Sequence, residues 1–415
     1  MRILGIETSC DETAAAVVEV KDNRFSVLSN VVASQIKIHA KTGGVVPEVA
    51  ARAHVATIIP VVQKALEHAR KNGETKELKS KISSSVHKSL SSYVDYIAVT
   101  SGPGLMTSLL VGVEVARTLS ALWKKPLIAV NHLAGHVYAN WLPSTLCHSE
   151  GASRRMKNPV LKSAGSFARL RMTEVEFPAL CLIVSGGHTE LVLMRRHMDF
   201  KIIGSTRDDA AGEAFDKVAK MLGLPYPGGP TISRESEKWK SEIRNSKFET
   251  NLKFQLPKFP RPMITSPDFD FSFSGLKTSV LYYIKNLEKQ NRMRPHTILL
   301  KRKMQEICYE FQEAAVEVLV AKTIRAAKQY KVKTILLGGG VAANIRLREQ
   351  LVNAVNCELS SVNCILPAAE YTGDNAAMIA AAGYFMALKK DFTPWEKIDV
   401  DPNWELGQKF HALPR

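Results

Sequence analysis

Two similar α/β lobes facing each other across a cleft are the fold class this sequence predicts, and three observations predict it. The first is an internal echo. Each half runs through an apolar strand, a polar turn and a second apolar strand, then helical sequence. A strand with a glycine loop, a helix, a short strand and a polar motif opening a last helix follow. The second is size: 415 residues, 45% hydrophobic and 23% charged, suffice for two or three ordinary globular domains. The third is a set of glycine loops after strands, SGPG (Ser101–Gly104), SGG (Ser185–Gly187) and GGG (Gly338–Gly340). Equivalent positions in two lobes would put these loops on the two walls of one cleft.

The first half begins with RILGIETSCDETAAAVVEV, residues 2–20, read as strand, turn, strand, and a further strand-like run covers 27–35. The glycines and Pro47 of HAKTGGVVPEVAARAH, His39 to His54, mark a loop that enters a helix from about Pro47 to Arg70. Val49, Ala53, Ala56, Ile59, Val62 and Leu66 are its expected inner face. Residues 71–92, rich in Lys and Ser, read as an insert. YIAVTSGPG then gives a strand and glycine loop, a helix runs from about Met106 to Trp123, and LIAV (Leu127–Val130) is a short buried strand leading into NHLAGH, Asn131–His136.

Residues 143–175 are a second insert, basic through Arg154, Arg155, Lys157, Lys162, Arg169 and Arg171. PALCLIVSGGHTELVLMRR then repeats the N-terminal plan. DDAAGEAFDKVAKMLGL (208–224) reads as an acidic-headed helix with Ala211, Ala214, Phe215, Val218 and Leu222 at helical spacing, closed by YPGGP. TILLGGGVAAN (Thr334–Asn344) is strand, loop and helix start. A short strand ends at Leu366, and the last helix opens near Gly373. The expected division is a first lobe at 1–140, a basic insert at 141–176, a second lobe at 177–390 with a helical insertion at about 207–330, and a tail at 391–415.

The formal charge of +16 suits a polyanionic partner such as RNA, although a solvated insert accounts for part of it equally well. Six cysteines without a CxxC pair argue against a disulfide framework or a zinc knuckle. Cys10, between Ser9 and Asp11, is a packing residue or, less simply, a reactive thiol. Met1 runs straight into a strand pattern, which makes the cytoplasm the expected location, and no apolar run reaches the ~20 residues of a membrane span.

His132 and His136 stand four apart. On a helix they would share a face and could hold one metal ion, although Gly135 weakens the helix. Asp374 opens the matching motif of the second half, so lobe symmetry puts it across the cleft from the pair; an N-cap role for it also fits. Two His and one Asp would leave open positions on Fe²⁺ or Zn²⁺. Glycine loops let backbone N–H groups approach an anion. The loops are neither a Walker A motif, since no GK[ST] follows, nor a Rossmann fingerprint.

The motifs ETSCDET, GGVVPEVAARAH, SGPGL, NHLAGH, SGGHTELV, DDAAGEAFDKVAKMLGL with YPGGP, FSFSGLKT (Phe271–Thr278), GGGVAAN and GDNAAMIA closely resemble the TsaD family, in the family's order from residue 3 to about 385. The resemblance implies an actin-like, Hsp70-like fold (ASKHA, ribonuclease H-like). It implies transfer of threonylcarbamoyl from L-threonylcarbamoyladenylate to N6 of adenosine 37 in tRNAs reading ANN codons, with AMP released. It implies one divalent ion per subunit, Fe²⁺ before Zn²⁺, on His132, His136 and Asp374. It implies adenylate binding by Ile183, Val184, Ser185, Gly186, Gly187, Asp216, Gly229 and Asn344, with Asp11 and Glu12 as acidic catalytic positions in the same cleft. TsaB and TsaE are the implied protein partners. Ala134 and Gly373 depart from the family's commoner Glu and Thr without removing a ligand.

Other readings are a kinase or ATPase of the same fold, for which a His pair is the wrong Mg²⁺ ligand, and a metallopeptidase, for which HExxH is missing. A non-catalytic scaffold is opposed by the intact His–His–Asp set.

Overall fold

The computed structural model describes residues 1–73, 90–143, 175–245, 257–289 and 298–410. Most of the two inserts expected at 71–92 and 143–175 lies outside them.

Among the described residues the strands form two sheets of the same plan. In the first, β1 (Arg2–Glu7), β2 (Glu12–Lys21), β3 (Arg24–Ser34), β4 (Tyr96–Gly102) and β5 (Leu127–Asn131) lie in the order β3-β2-β1-β4-β5. In the second, β6 (Ala179–Val184), β7 (Thr189–Arg196), β8 (Asp199–Ser205), β9 (Thr334–Gly338) and β10 (Asn363–Ile365) lie in the order β10-β9-β6-β7-β8. The central strands β1 and β6 each pair antiparallel with the next strand and parallel with the strand before the glycine loop. The duplication read from the sequence is therefore a duplication of sheet topology, and it extends to β8, the counterpart of β3.

Helix α1 (Pro47–Gly73) covers the outer face of the first sheet together with α2 (Met106–Trp123). Its inner stripe is Ala50, His54, Ile58, Val61, Val62, Ala65, Leu66 and Ala69, which keeps Val62 and Leu66 of the expected face and replaces the rest. Val49 and Ile59 are 37% and 58% exposed. The helix is turned because a polar residue, His54, points inward: its Nδ1 lies 2.8 Å from Thr13 Oγ1 and its Nε2 3.0 Å from the Cys10 carbonyl. A stripe read from apolar residues alone skips it.

The short helix α3 (His132–Tyr138) follows β5 directly. The second lobe carries α4 (Ala211–Met221), α5 (Gly228–Asn245), α6 (Ser274–Lys289), α7 (Ile298–Tyr330), α8 (Ile345–Glu358) and α9 (Ala376–Leu388). The acidic pair before α4 is outside the helix. Asp208 accepts from Phe273 and Ser274 N–H at the start of α6, and Asp209 pairs with Lys217 and Lys277.

Two features tie the halves together. Helix α9, from the end of the second half, packs on β1, β2 and α3 and is buried almost all round, as its composition of Ala, Met, Ile and aromatics requires. Gly5 on β1 makes this possible, because a Cβ there would overlap the Ala376 carbonyl. Residues beyond α9 also return to the first lobe. Thr393 N–H donates to Leu127 O and Asp401 N–H to Ser101 O, and Ile398 and Val400 join the core under α1 and α2. A further core lies between the sheets, where α3 and α9 meet side chains of both, such as Ile3 and Val18 from one and Cys181 and Val192 from the other.

Candidate active site

The site is built where α3 and α9 cross. Asn131, the last residue of β5, caps α3 by accepting from Leu133 and Ala134 N–H at 2.9 and 3.2 Å, and its own amide donates to Trp404 O at 2.9 Å. The helix thus starts in one fixed place, and His132 and His136 share a face with ring centroids 4.7 Å apart. Gly135, which argued against a helix, lies against α9: a Cβ there would stand 2.7 Å from Ile379 Cδ1.

Asp374 comes from the other half. Its Oδ1 lies 3.5 Å from His132 Nε2 and 3.3 Å from His136 Nε2. The N-cap of α9 is Asn375, whose Oδ1 accepts from Met378 N–H at 3.0 Å. That frees Asp374 from the capping role that its position also allowed. One ligand atom from each of the three residues lies within 4.8 Å of the others. Both ring nitrogens of His136 are buried without a hydrogen-bond partner among the described residues, since Asp374 is close to Nε2 but not aligned with it. Burying an imidazole nitrogen unpaired is costly, and a cation on Nε2 would remove that cost. Two imidazoles and a carboxylate are a donor set that fits one Zn²⁺- or Fe²⁺-class ion.

The charges agree with a cation site. Burial alone would lower the His132 pKa, but Glu7 and Asp374 outweigh it and raise it to about 9. Burial lowers His136, despite the pull of Asp374. Burial would raise Asp374, but His132 and His136 hold it well below the usual carboxylate range. His188, from the SGGHT turn, is lowered to about 4, by burial first and then by the charges of His132 and His136. The end of β6 that leads into the SGGHT turn lies beside α3, since Ile183 pairs with Gly338, where a Cβ would stand 2.9 Å from His136 O.

That turn is a cradle. Ser185 N–H donates to His188 O at 2.8 Å and His188 N–H to Ser185 Oγ at 3.1 Å. A Cβ on Gly186 or Gly187 would meet nothing within 4 Å, and the same holds for Gly229 and Gly340. Ile183 and Val184 have fully buried side chains, so they can offer a ligand only backbone. Asp216 Oδ1 accepts from Gly228 N–H at 2.7 Å, and burial raises its pKa. Asn344 caps α8 through Leu347 N–H at 3.0 Å, and its amide donates to Ser233 Oγ and Gln312 Oε1 at 3.0 and 2.9 Å. Ser233 and Gln312 carried no sequence signal, because a Ser and a Gln on helices are ordinary surface residues until Asn344 is seen between them.

The SGPG loop behaves differently from expectation. A Cβ on Gly102 would overlap the Asp401 carbonyl, and one on Gly104 would stand 2.6 Å from Ser9 O. Its glycines admit other parts of the protein and form no anion cradle.

Asp11 is buried at the turn before β2. Glu12 accepts from Ser34 Oγ at 2.9 Å; burial, with Asp11 and Asp374 beside it, raises its pKa to about 9. Burial and the same acidic neighbours push the Cys10 thiol up, which makes it a packing residue and not a nucleophile. Ala134 is buried on α3. Glu7, passed over in the sequence as one polar residue of a turn, is the fully buried last residue of β1 and touches His132.

A His–His–carboxylate centre beside open glycine turns in a duplicated α/β fold defines a two-lobed protein with, among the described residues, a single His–His–Asp site compatible with a metal ion. The family model for TsaD, tRNA N6-adenosine threonylcarbamoyltransferase, matches residues 26–150 and 159–381. The chain is 44% identical over 400 residues to the tRNA N6-adenosine threonylcarbamoyltransferase of Thermomicrobium roseum, covering 94% of this chain and 93% of that one. It is 44% identical over 381 residues to the Listeria monocytogenes serotype 4b enzyme of the same name, covering 92% and 90%. Among solved structures, Thermococcus kodakarensis HypF shares the fold at a TM-score of 0.51 and 12% identity, over 95% of this chain and 49% of that one. The chain belongs to the TsaD family, whose members are acyltransferases that modify tRNA. No helix among the described residues is long and apolar enough to cross a membrane.

Proposed function

We propose that the protein transfers threonylcarbamoyl from L-threonylcarbamoyladenylate to N6 of adenosine 37 in tRNAs reading ANN codons, releasing AMP. The observation that carries this is the meeting of His132 and His136 with Asp374, from opposite halves, within 3.5 Å and on the helix beside the strand end that leads into the SGGHT turn.

His132, His136 and Asp374 would hold one divalent ion, Fe²⁺ before Zn²⁺, which supplies Lewis-acid polarisation of a carbonyl when bound. The carbonyl of a mixed anhydride is already activated, so direct attack by the adenosine amine needs no protein nucleophile, in keeping with the inert Cys10. Gly186 and Gly187 would receive the adenylate's phosphate with backbone N–H groups and stabilise the departing AMP, in a turn that Ser185 braces through its bonds with His188. Asp216, Gly229 and Asn344 would bound its ribose and base, with Ile183 and Val184 fixing the strand end beneath. Asp11 and Glu12, the acidic side chains of the turn before β2, would take the amine's proton. The basic insert residues suit a tRNA backbone. TsaB and TsaE are the proposed protein partners and the cytoplasm the proposed place of work.

The test is a transfer assay with purified L-threonylcarbamoyladenylate and tRNA, with and without those partners. The wild-type protein should transfer, and His136→Ala should lose metal binding and transfer together. Full transfer by metal-free His136→Ala refutes the role given to the ion. Steady ATP turnover without tRNA would favour a kinase or ATPase instead.

A further inference from the structure

We infer that Glu7 is a positioning residue for the metal centre: it holds the Nδ1 proton of His132 and thereby aims the Nε2 lone pair at the ion. The inference rests on the metal-site reading above. Glu7 is 0% exposed at the end of the central strand β1. Ionic side chains are rarely so buried unless their oxygens are matched by donors. Three donors converge on it. Thr100 Oγ1–H donates to Oε2 at 2.6 Å, Ser9 N–H donates to Oε1 at 2.5 Å, and His132 Nδ1 lies 3.0 Å from Oε2.

A carboxylate with these neighbours accepts only, so the shared proton belongs to His132 Nδ1. Ser9 Oγ, 3.1 Å from the same nitrogen, is a weaker second acceptor. A proton fixed on Nδ1 leaves Nε2, the atom facing Asp374, as the free ligand. Carboxylate partners of this kind orient ligating imidazoles and raise their basicity. His136 has no equivalent, since its Nδ1 is buried without a partner among the described residues. His132 is therefore the ligand whose orientation the protein fixes.

In Glu7→Gln the shape is kept, and the Ser9 N–H, which can only donate, holds the amide carbonyl at the Oε1 position; the amide N–H₂ then takes the Oε2 position and faces His132 Nδ1 and Thr100 Oγ1, whose hydroxyl rotates to accept. The imidazole proton would then move to Nε2 and block ligation. The experiment measures Zn²⁺ affinity of the full chain by competition with a chelator, for wild type, Glu7→Gln, Thr100→Val and His136→Ala. Metal-free melting curves show which variants are folded. The expected order is wild type, then Thr100→Val weaker by a few-fold, then Glu7→Gln weaker by about 10- to 100-fold, and no stoichiometric binding by His136→Ala. In zinc-loaded wild type, the His132 Nδ1–H should appear as a slowly exchanging imidazole proton that is missing from Glu7→Gln. A folded Glu7→Gln with wild-type Zn²⁺ affinity overturns the inference. If that variant does not fold, Thr100→Val with wild-type affinity does. Failure of wild type itself to bind Zn²⁺ overturns the metal-site reading and not the placement of the proton on His132 Nδ1.

Discussion

The SGPG loop of the first lobe, after β4, and the SGG turn of the second, after β6, are both glycine turns at strand ends, yet they face different things. Gly102 and Gly104 are pressed against Asp401 and Ser9, whereas Gly186, Gly187, Gly229 and Gly340 have nothing within 4 Å of where a Cβ would be. The SGPG glycines serve chain packing, as do Gly338 and Gly339 after the equivalent strand β9, where a Cβ would meet the His136 and Val184 carbonyls, whereas the SGG turn is open on its glycine side. The final helices show the same division. Helix α3 brings imidazoles and α9 brings a carboxylate, and each supplies what the other lacks.

The strongest way to break this comparison is to fill the glycines. Gly5→Ala should be among the most damaging changes, because its Cβ meets the Ala376 backbone, which cannot yield. A loss of about 3 kcal/mol in denaturant unfolding is expected, with metal binding impaired as α9 shifts. Gly104→Ala should also cost stability, about 2 kcal/mol, since its φ of +155° and the nearby Ser9 both oppose a side chain. Gly187→Ala should leave unfolding unchanged within about 0.5 kcal/mol while weakening AMP or adenylate binding about tenfold or more in calorimetry. Equal stability losses at Gly104 and Gly187 would erase the distinction between the lobes.

A smaller effect sharpens the electrostatic side. His132 is raised from 6.5 to about 9, so its contribution to the metal-free fold is complete below pH 6.5 and is lost as pH rises through about 9. His136 is lowered, so its contribution is present above pH 6.5 and is lost on acidification. Metal-free melting temperature should therefore decline between pH 6.5 and 9, while Zn²⁺ affinity rises by about tenfold per pH unit as His132 gives up its proton. The smallest effect belongs to Cys10→Ser, which should retain transfer activity within about twofold in the assay with adenylate and tRNA.

Much of this was legible in the sequence because the signals were periodic or local. The duplicated strand pattern predicted both sheets, and the spacing of His132 and His136 predicted a shared helix face. What was hidden depended on contacts distant in sequence. Glu7 looks like a turn residue until Thr100 and His132 are seen to close on it. The inward face of α1 was misread because His54 is polar, and its partners Thr13 and Cys10 lie 41 and 44 residues away. SGPG and SGG are alike as strings, and Asp401, returning from the C-terminal residues, and Ser9, from the turn after β1, tell them apart.

The most direct test is to locate the ion. In crystals of zinc-loaded protein, anomalous diffraction should show one peak at about 2.0–2.2 Å from His132 Nε2, His136 Nε2 and an Asp374 oxygen, with Glu7 still bonded to His132 Nδ1. A peak held by residues of one half alone, or none at this crossing in protein that binds Zn²⁺ stoichiometrically, would contradict a centre shared between the halves.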